Sequence, residues 1–279
     1  MIILPLTYTT DVLDEDQLKF VARHLPQPKA DTGRPAYTNF ELLPGILKVL
    51  RSGSRWRDLD RKDLPSGVTH WRRLRYFQKH NGFEDLWVFI LELLLKKGKL
   101  ILKTASIDGT LIPSFAFKDT TSYSGKHHKV GTKVSLVVEE NGLPLSKLTD
   151  IGSAHDGPLA IPTIQRVPPR LLKLIELMLG DKGYDDAKIR NYLKNVDIKS
   201  DIPQRELPIT WREKIMLAQK GELIQRKEHS NSKRFVVERT NAWTKSFRRL
   251  RFRFDYSLLS FTAFLNLAFV VICIRKLLP

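Results

Sequence analysis

An aspartate stands where a sheet would place an apolar side chain. In KLILKTASIDGTLIPS (99–114) apolar residues alternate around Ile101, Ala105, Ile107 and Leu111, the pattern of a strand, and Asp108 sits inside it between Ile107 and Gly109-Thr110. An ionised carboxylate there needs a compensating charge, so the chain must fold to bring one against this strand.

The sequence downstream supplies the sheet. Thr132–Val138 and Leu143–Thr149 flank the turn Glu140-Asn141-Gly142, which reads as a hairpin, so three antiparallel strands follow one another. The glycine-rich, basic stretch Ser122–Lys133, with Lys126 and Lys129, is expected as a loop between the first two, suited to line a phosphate path. After a helix over 158–178, broken at Pro168-Pro169, an apolar run ends in Gly180-Asp181, a helix is expected over Asp185–Lys194, and Val196–Ile202 forms a further strand. This strand–turn–helix unit puts Asp181 at the C-terminal end of a strand, where α/β sheets hold ligands.

Before Lys99 the texture is helical. Residues 11–25 carry Leu13, Leu18, Val21 and Leu25 at near-helical spacing; Asn39 is expected to cap a helix to Leu50 that Gly53 stops. After Pro65-Ser66-Gly67, a third helix places Val68, Trp71, Leu74 and Phe77 on its apolar side, with Thr69, His70, Arg72, Arg73, Tyr76 and Lys79 opposite. Residues 83–97 form an apolar fourth helix. Two short helices, a turn and a basic helix read as a helix-turn-helix-like module that sends Arg72 and Arg73 towards the major groove. The expected organisation is α/β (α+β, with a mixed sheet): a helical DNA-binding domain over 1–98 and a sheet domain over 99–279.

Charge selects the partner. Against 30 Asp+Glu the 279 residues carry 47 Lys+Arg, a net +17, which points to a polyanion and most simply to nucleic acid. A membrane is the weaker candidate, because the apolar run Leu258–Ile274 is interrupted by Ser260, Thr262 and Asn266 and reads as a buried terminal helix. MIILPLTYTT at the start lacks the basic flank of a secretory leader. The one cysteine, Cys273, excludes an internal disulfide framework and suits the reducing cytoplasm.

A third acid stands in a basic helix. In RFVVERTNAWTK (234–245) the helical period brings Arg234 and Lys245 to the face of Glu238, with Val236, Val237 and Trp243 offering an apolar flank. Asp108, Asp181 and Glu238, if they converge, repel one another unless cations lie between them, and oxygen-only ligands favour Mg²⁺ or Mn²⁺.

The motifs SIDGT (106–110), AHD (154–156), LGDKGYDD (179–186) and RFVVERTNAWTKSFRRLRFRFDYS (234–257), with WRDLD…WRRLRYF upstream, together resemble the DDE transposases of bacterial insertion sequences, in the superfamily that includes the Harbinger elements. The resemblance covers most of residues 38–278. It implies an RNase H-like catalytic domain in which Asp108, Asp181 and Glu238 hold two divalent ions, with Arg234 and Lys245 beside Glu238. Asn231 stands where the family pattern has a tyrosine. The resemblance implies double-stranded DNA as partner, both element ends and target, bound by a homo-oligomer, a dimer, at the nucleoid. Arg239, Arg248, Arg249, Arg251 and Arg253 are expected to add to the DNA-binding surface. His155-Asp156 reads equally as support for the acids or as loop. The same features leave open a transposase-derived DNA-binding protein without turnover, and an RNase H-like nuclease.

Overall fold

A computed structural model of the chain describes residues 11–28, 36–60, 64–204 and 231–279, with backbone alone over 231–234. The expectations for the first ten residues, for the polar linker through Pro35, for the connection ahead of the Glu238 helix and for the Arg234 and Asn231 side chains lie outside these residues.

Four helices come first, α1 (Glu15–His24), α2 (Asn39–Ser52), α3 (Gly67–Lys79) and α4 (Gly82–Lys96). Asp14, Thr38 and Ser66 cap the first three by accepting the N3 amides of Gln17, Glu41 and Thr69. Gly53, at φ +70°, ends α2 as expected. Asn39 is not the cap. It is buried, and its amide donates to Ala22 O (3.1 Å) and Leu25 O (2.9 Å), fastening α2 to the end of α1.

The buried face of α3 also differs from the expected one. His70, Arg73, Leu74 and Phe77 face inward, leaving Val68 53% and Trp71 41% exposed. Gly45 on α2 explains the rotation, since a Cβ there would overlap the His70 ring. Arg73 is buried because its guanidinium donates to Asn39 Oδ1 (2.5 Å) and Tyr37 O (2.6 Å). Its expected DNA contact is therefore withdrawn.

The sheet is mixed, as expected. β1 (Thr104–Pro113), β3 (Lys129–Glu139) and β4 (Pro144–Ile151) pair antiparallel in succession, and β5 (Leu177–Leu179) and β6 (Lys199–Asp201) extend it in parallel on the other side of β1. The turn at 140–142 closes on Gly142, whose φ of +89° needs a glycine. Part of the stretch expected as a loop is instead a strand, β2 (Ser122–Ser124), hairpinned onto the start of β3. β1 does not alternate either: Thr104 to Ile107 are all buried, as in a strand covered on both faces. Helices α5 (Asp156–Gln165) and α6 (Pro169–Leu172) cross from β4 to β5, and α7 (Ala187–Asn195) crosses from β5 to β6. Three antiparallel strands followed by two parallel ones form the RNase H-like sheet that the resemblance implies.

Among the described residues three helices follow: α8 (Asn231–Ser246), α9 (Arg248–Arg251) and α10 (Leu258–Leu277). α10 is long and apolar enough to cross a membrane, yet it packs on α4, with Phe261, Phe264 and Phe269 wholly buried. Its end is tied to the beginning of the described chain. Gln17 donates to Leu278 O (2.7 Å), Arg275 to Val12 O (2.7 Å) and Lys99 to Lys276 O (3.2 Å). One continuous apolar cluster runs from α1 through the sheet to α10.

Candidate active site

β1 carries Asp108 at its middle, opposite Leu136 of β3, and α8 lies across it. α8 is fixed by its buried stripe of Val237, Thr240, Asn241 and Thr244, spaced for one helical face. Thr240 donates to Gly142 O (2.6 Å) and Arg239 to Asn141 O (2.7 Å), pinning the helix on the β3–β4 turn. That placement aims two side chains at β1. Asn241 Nδ2 donates to Asp108 Oδ2 (3.1 Å), and Lys245 Nζ donates to Thr110 Oγ1 (2.6 Å). Glu238, one turn before Asn241, is exposed at the rim of the same site.

Asp108 reports the company it keeps. Burial pushes its carboxyl from 3.8 up to about 6, the Gly109 amide opposes this, and the charges of Asp156, Asp181 and Glu238 add to the rise. The expected acids thus act on one another. Asp181, just beyond β5, accepts from Gly183 N (2.7 Å) and starts the 3₁₀ turn Lys182–Tyr184. Partial burial holds Lys245 below its ordinary value, and Asp108 opposes this. Among the described residues no three His, Cys, Asp or Glu side chains stand close enough to grip one ion as they are.

Asp156 turns out to belong to the site. It opens α5, and its Oδ1 lies 2.7 Å from Nζ of Lys133, whose side chain is almost wholly buried in β3. Gly109 makes room for it: a Cβ there would overlap Asp156 Oδ1 and crowd the Lys133 stem. Tyr184 lies beneath, fully buried, its phenol held well above the usual value by burial and then by Asp156, Asp108 and Asp181. Lys133, Asn241, Gly109 and Tyr184 were not anticipated. Lys133 carries the same signal that marked Asp108, a charge inside a covered strand.

The basic residues divide. Arg72, Lys126, Lys129, Arg248 and Arg251 are exposed. Burial and then the charges of Lys126, Lys133 and Lys245 hold His127 low, while Asp156 opposes them. Arg239, half-buried, lies over the Trp243 ring at 4.9 Å and supports the turn. Arg249 is buried in a two-bond ion pair with Asp255 (3.0 and 2.7 Å), and Arg253 is wholly buried, donating to Thr132 Oγ1. The DNA contacts expected of Arg249 and Arg253 are withdrawn, because buried guanidinia with fixed partners cannot reach a phosphate.

Residues 102–273 match the family described as transposase DDE domain, and residues 13–87 match one described as putative transposase of the IS4/5 family. The putative transposase of insertion sequence element IS402 from Burkholderia cepacia is 30% identical over 152 residues, 51% of this chain and 63% of that protein, under two thirds of its length. An IS402 16.2 kDa protein of the same organism is 34% identical over 106 residues, 36% of this chain and 72% of that protein. The crystal structure of the Mos1 mariner transposase catalytic domain aligns with 61% of this chain and 90% of its own at 10% identity, with a TM-score of 0.28. The first match covers more than half of the sequence, and the chain belongs to the family of transposases with a DDE domain.

Proposed function

We propose that the protein is a DNA transposase that cuts at the ends of its mobile element and joins the freed 3′-OH to target DNA by in-line displacement at phosphorus. What supports this most is Asp108, a half-buried carboxyl on β1 that is raised by its burial and then by acids from three other elements, in a chain of the DDE family. Asp108, Asp181 and Glu238 would hold divalent metal, Mg²⁺ or Mn²⁺. The donor set fits in kind: all its atoms are oxygens, and mutual repulsion is what a hard cation relieves. When bound, two such ions supply the charge that stabilises the attacking and leaving oxygens.

The chain's own residues do the rest. Lys245, held on Thr110 beside Asp108, is placed to bind a non-bridging phosphate oxygen, and Arg234 joins it on the family pattern. Lys126 and Lys129 guide the backbone towards the acids, with Arg248 on the flank. Asn241 fixes the Asp108 carboxylate, and Lys133 holds Asp156 off it. The exposed side of α3, with Trp71, Arg72 and Arg75, reads the element's ends; Arg75 lies over the Trp71 ring at 5.7 Å. On this reading residues 1–98 recognise DNA, residues 99–279 cut it, and a dimer at the nucleoid pairs the two ends.

The test is a paired assay on Glu238→Gln with a plasmid carrying the gene and its flanking DNA. Glutamine keeps the shape and removes the charge. Gel-shift binding should stay near wild type, while nicking in Mg²⁺ falls by about a hundredfold or more. Normal nicking by the variant overturns the assignment of Glu238, and a wild type that binds this DNA but does not nick it would favour a DNA-binding protein without turnover.

A further inference from the structure

Past the acids, β1 runs into a surface that cutting does not use. Phe115, 75% exposed, lies just beyond Pro113, and Phe252, Phe254 and Tyr256 come from the segment between α9 and α10. Phe115 stacks on Phe252 with centroids 4.7 Å apart and planes 8° from parallel, and Phe254 stands 6.0 Å from Phe115.

The segment is held in this pose by its other side chains. Arg253 N donates to Pro113 O (2.8 Å), and the buried Arg253 guanidinium donates to Thr132 Oγ1, Asp255 O and Tyr256 O. Asp255 is locked by Arg249. Along 252–256 the charged side chains of Arg253 and Asp255 therefore point in, Phe254 and Tyr256 point out and Phe252 is half-buried beside Phe115, against the ordinary preference of the charged and exposed residues. Buried charges are tolerated only when fully partnered, and here their partnering fixes a row of rings in water.

The rim is positive. Arg251 adjoins Phe252, Arg248 lies one turn back, and the turn with Lys126 and Lys129 abuts Phe115 through Ser114 N donating to Val130 O (2.8 Å). At about 3.3 Å per residue, the end of β1 at Pro113 is roughly 17 Å from Asp108, and Phe115 lies two residues beyond it.

We propose that these rings form a stacking platform for unpaired nucleobases of the DNA held at the acids, an inference that rests on the reading that the protein acts on DNA. Flat, rigid rings with a basic surround match a base attached to phosphate, since every base has a π-face and the backbone a charge. A second copy docking here by two-fold symmetry would set like charge against like. A lipid surface would require a broad apolar face beside the rings, and α10 adds to them only Leu259 of its first turn (62% exposed), the apolar residues after it being largely buried in the core.

The experiment uses the purified full chain and two fluorescein-labelled probes, a fully paired 30-bp duplex and the same duplex with a six-thymidine unpaired flap, read by anisotropy. Wild type should prefer the flap by about tenfold or more, the scale of one or two stacked bases. Phe115→Leu/Phe254→Leu keeps apolar area and removes the rings; it should lose the preference while duplex affinity and its salt dependence hold. Duplex binding with no preference for the flap, or a preference that survives in the leucine variant, overturns the platform alone. Failure to bind either probe overturns the DNA reading and the platform with it. A dimer seen by sedimentation in wild type and lost in the variant assigns the rings to self-association and also overturns the proposal.

Discussion

Burial and three neighbouring acids hold Asp108 at about 6 in place of the ordinary 3.8. A carboxyl raised on folding favours the fold while protonated, so its contribution is complete below pH 3.8 and is lost as pH rises through 6. In metal-free buffer Asp108→Asn should be more stable than wild type above about pH 7, by up to ~3 kcal/mol, and the gap should close towards about pH 4. Denaturant melts at three pH values check this; a gap that does not change with pH would put Asp108 in water. Gly109→Ala, which drives a methyl into Asp156, should abolish nicking and leave duplex binding intact, as read in the paired assay used for Glu238. Asp108 and Glu238 were conspicuous in the sequence because each breaks a local pattern, one a carboxylate in an apolar strand and the other a carboxylate in a basic helix. Arg249 and Arg253 were not, since an arginine in a basic run reads the same whether it meets water or a partner. The partners of Arg253, Thr120 and Thr132, lie 133 and 121 residues away.

The helices and the hairpin follow from periodicity, caps and a glycine turn, all of which act within a few residues. The rotation of α3 does not, because it depends on a gap at Gly45 matching a ring at His70, a fit between two helices that neither one shows alone. For the same reason β2 escaped detection: three residues pair only because β3 is already in place. The rotation separates two adjacent arginines. Arg73→Ala should cost ~1–3 kcal/mol of stability by stranding Asn39 Oδ1 and leaving Gln27 as the donor to the Tyr37 carbonyl, while Arg72→Ala should leave the melt unchanged and weaken binding to the element's ends. Thermal melts and gel shifts on both variants decide; identical behaviour would return α3 to the expected orientation.

Across the whole molecule a net +17 is spread over helices and sheet alike, so DNA binding should release many counterions. Raising salt from about 50 to about 200 mM should weaken duplex binding by about a hundredfold or more; an affinity that stays level would remove the electrostatic basis of the partner assignment. The charge was legible from composition. The single core was not, because it depends on α10 returning to α4 and to the first turn of α1. That return fixes the order in which the molecule is made. A ribosome has released α1 to α4 and the sheet before α10 exists, and the contacts of Val12 with Arg275 and of Gln17 with Leu278 close loops of 263 and 261 residues. A nascent chain stopped at Tyr256 keeps local helices but exposes the side of α4 that α10 covers, which makes it a substrate for chaperones and proteases. Pulse proteolysis should digest that fragment while sparing the full chain. The helix made last thus completes the burial of everything made before it.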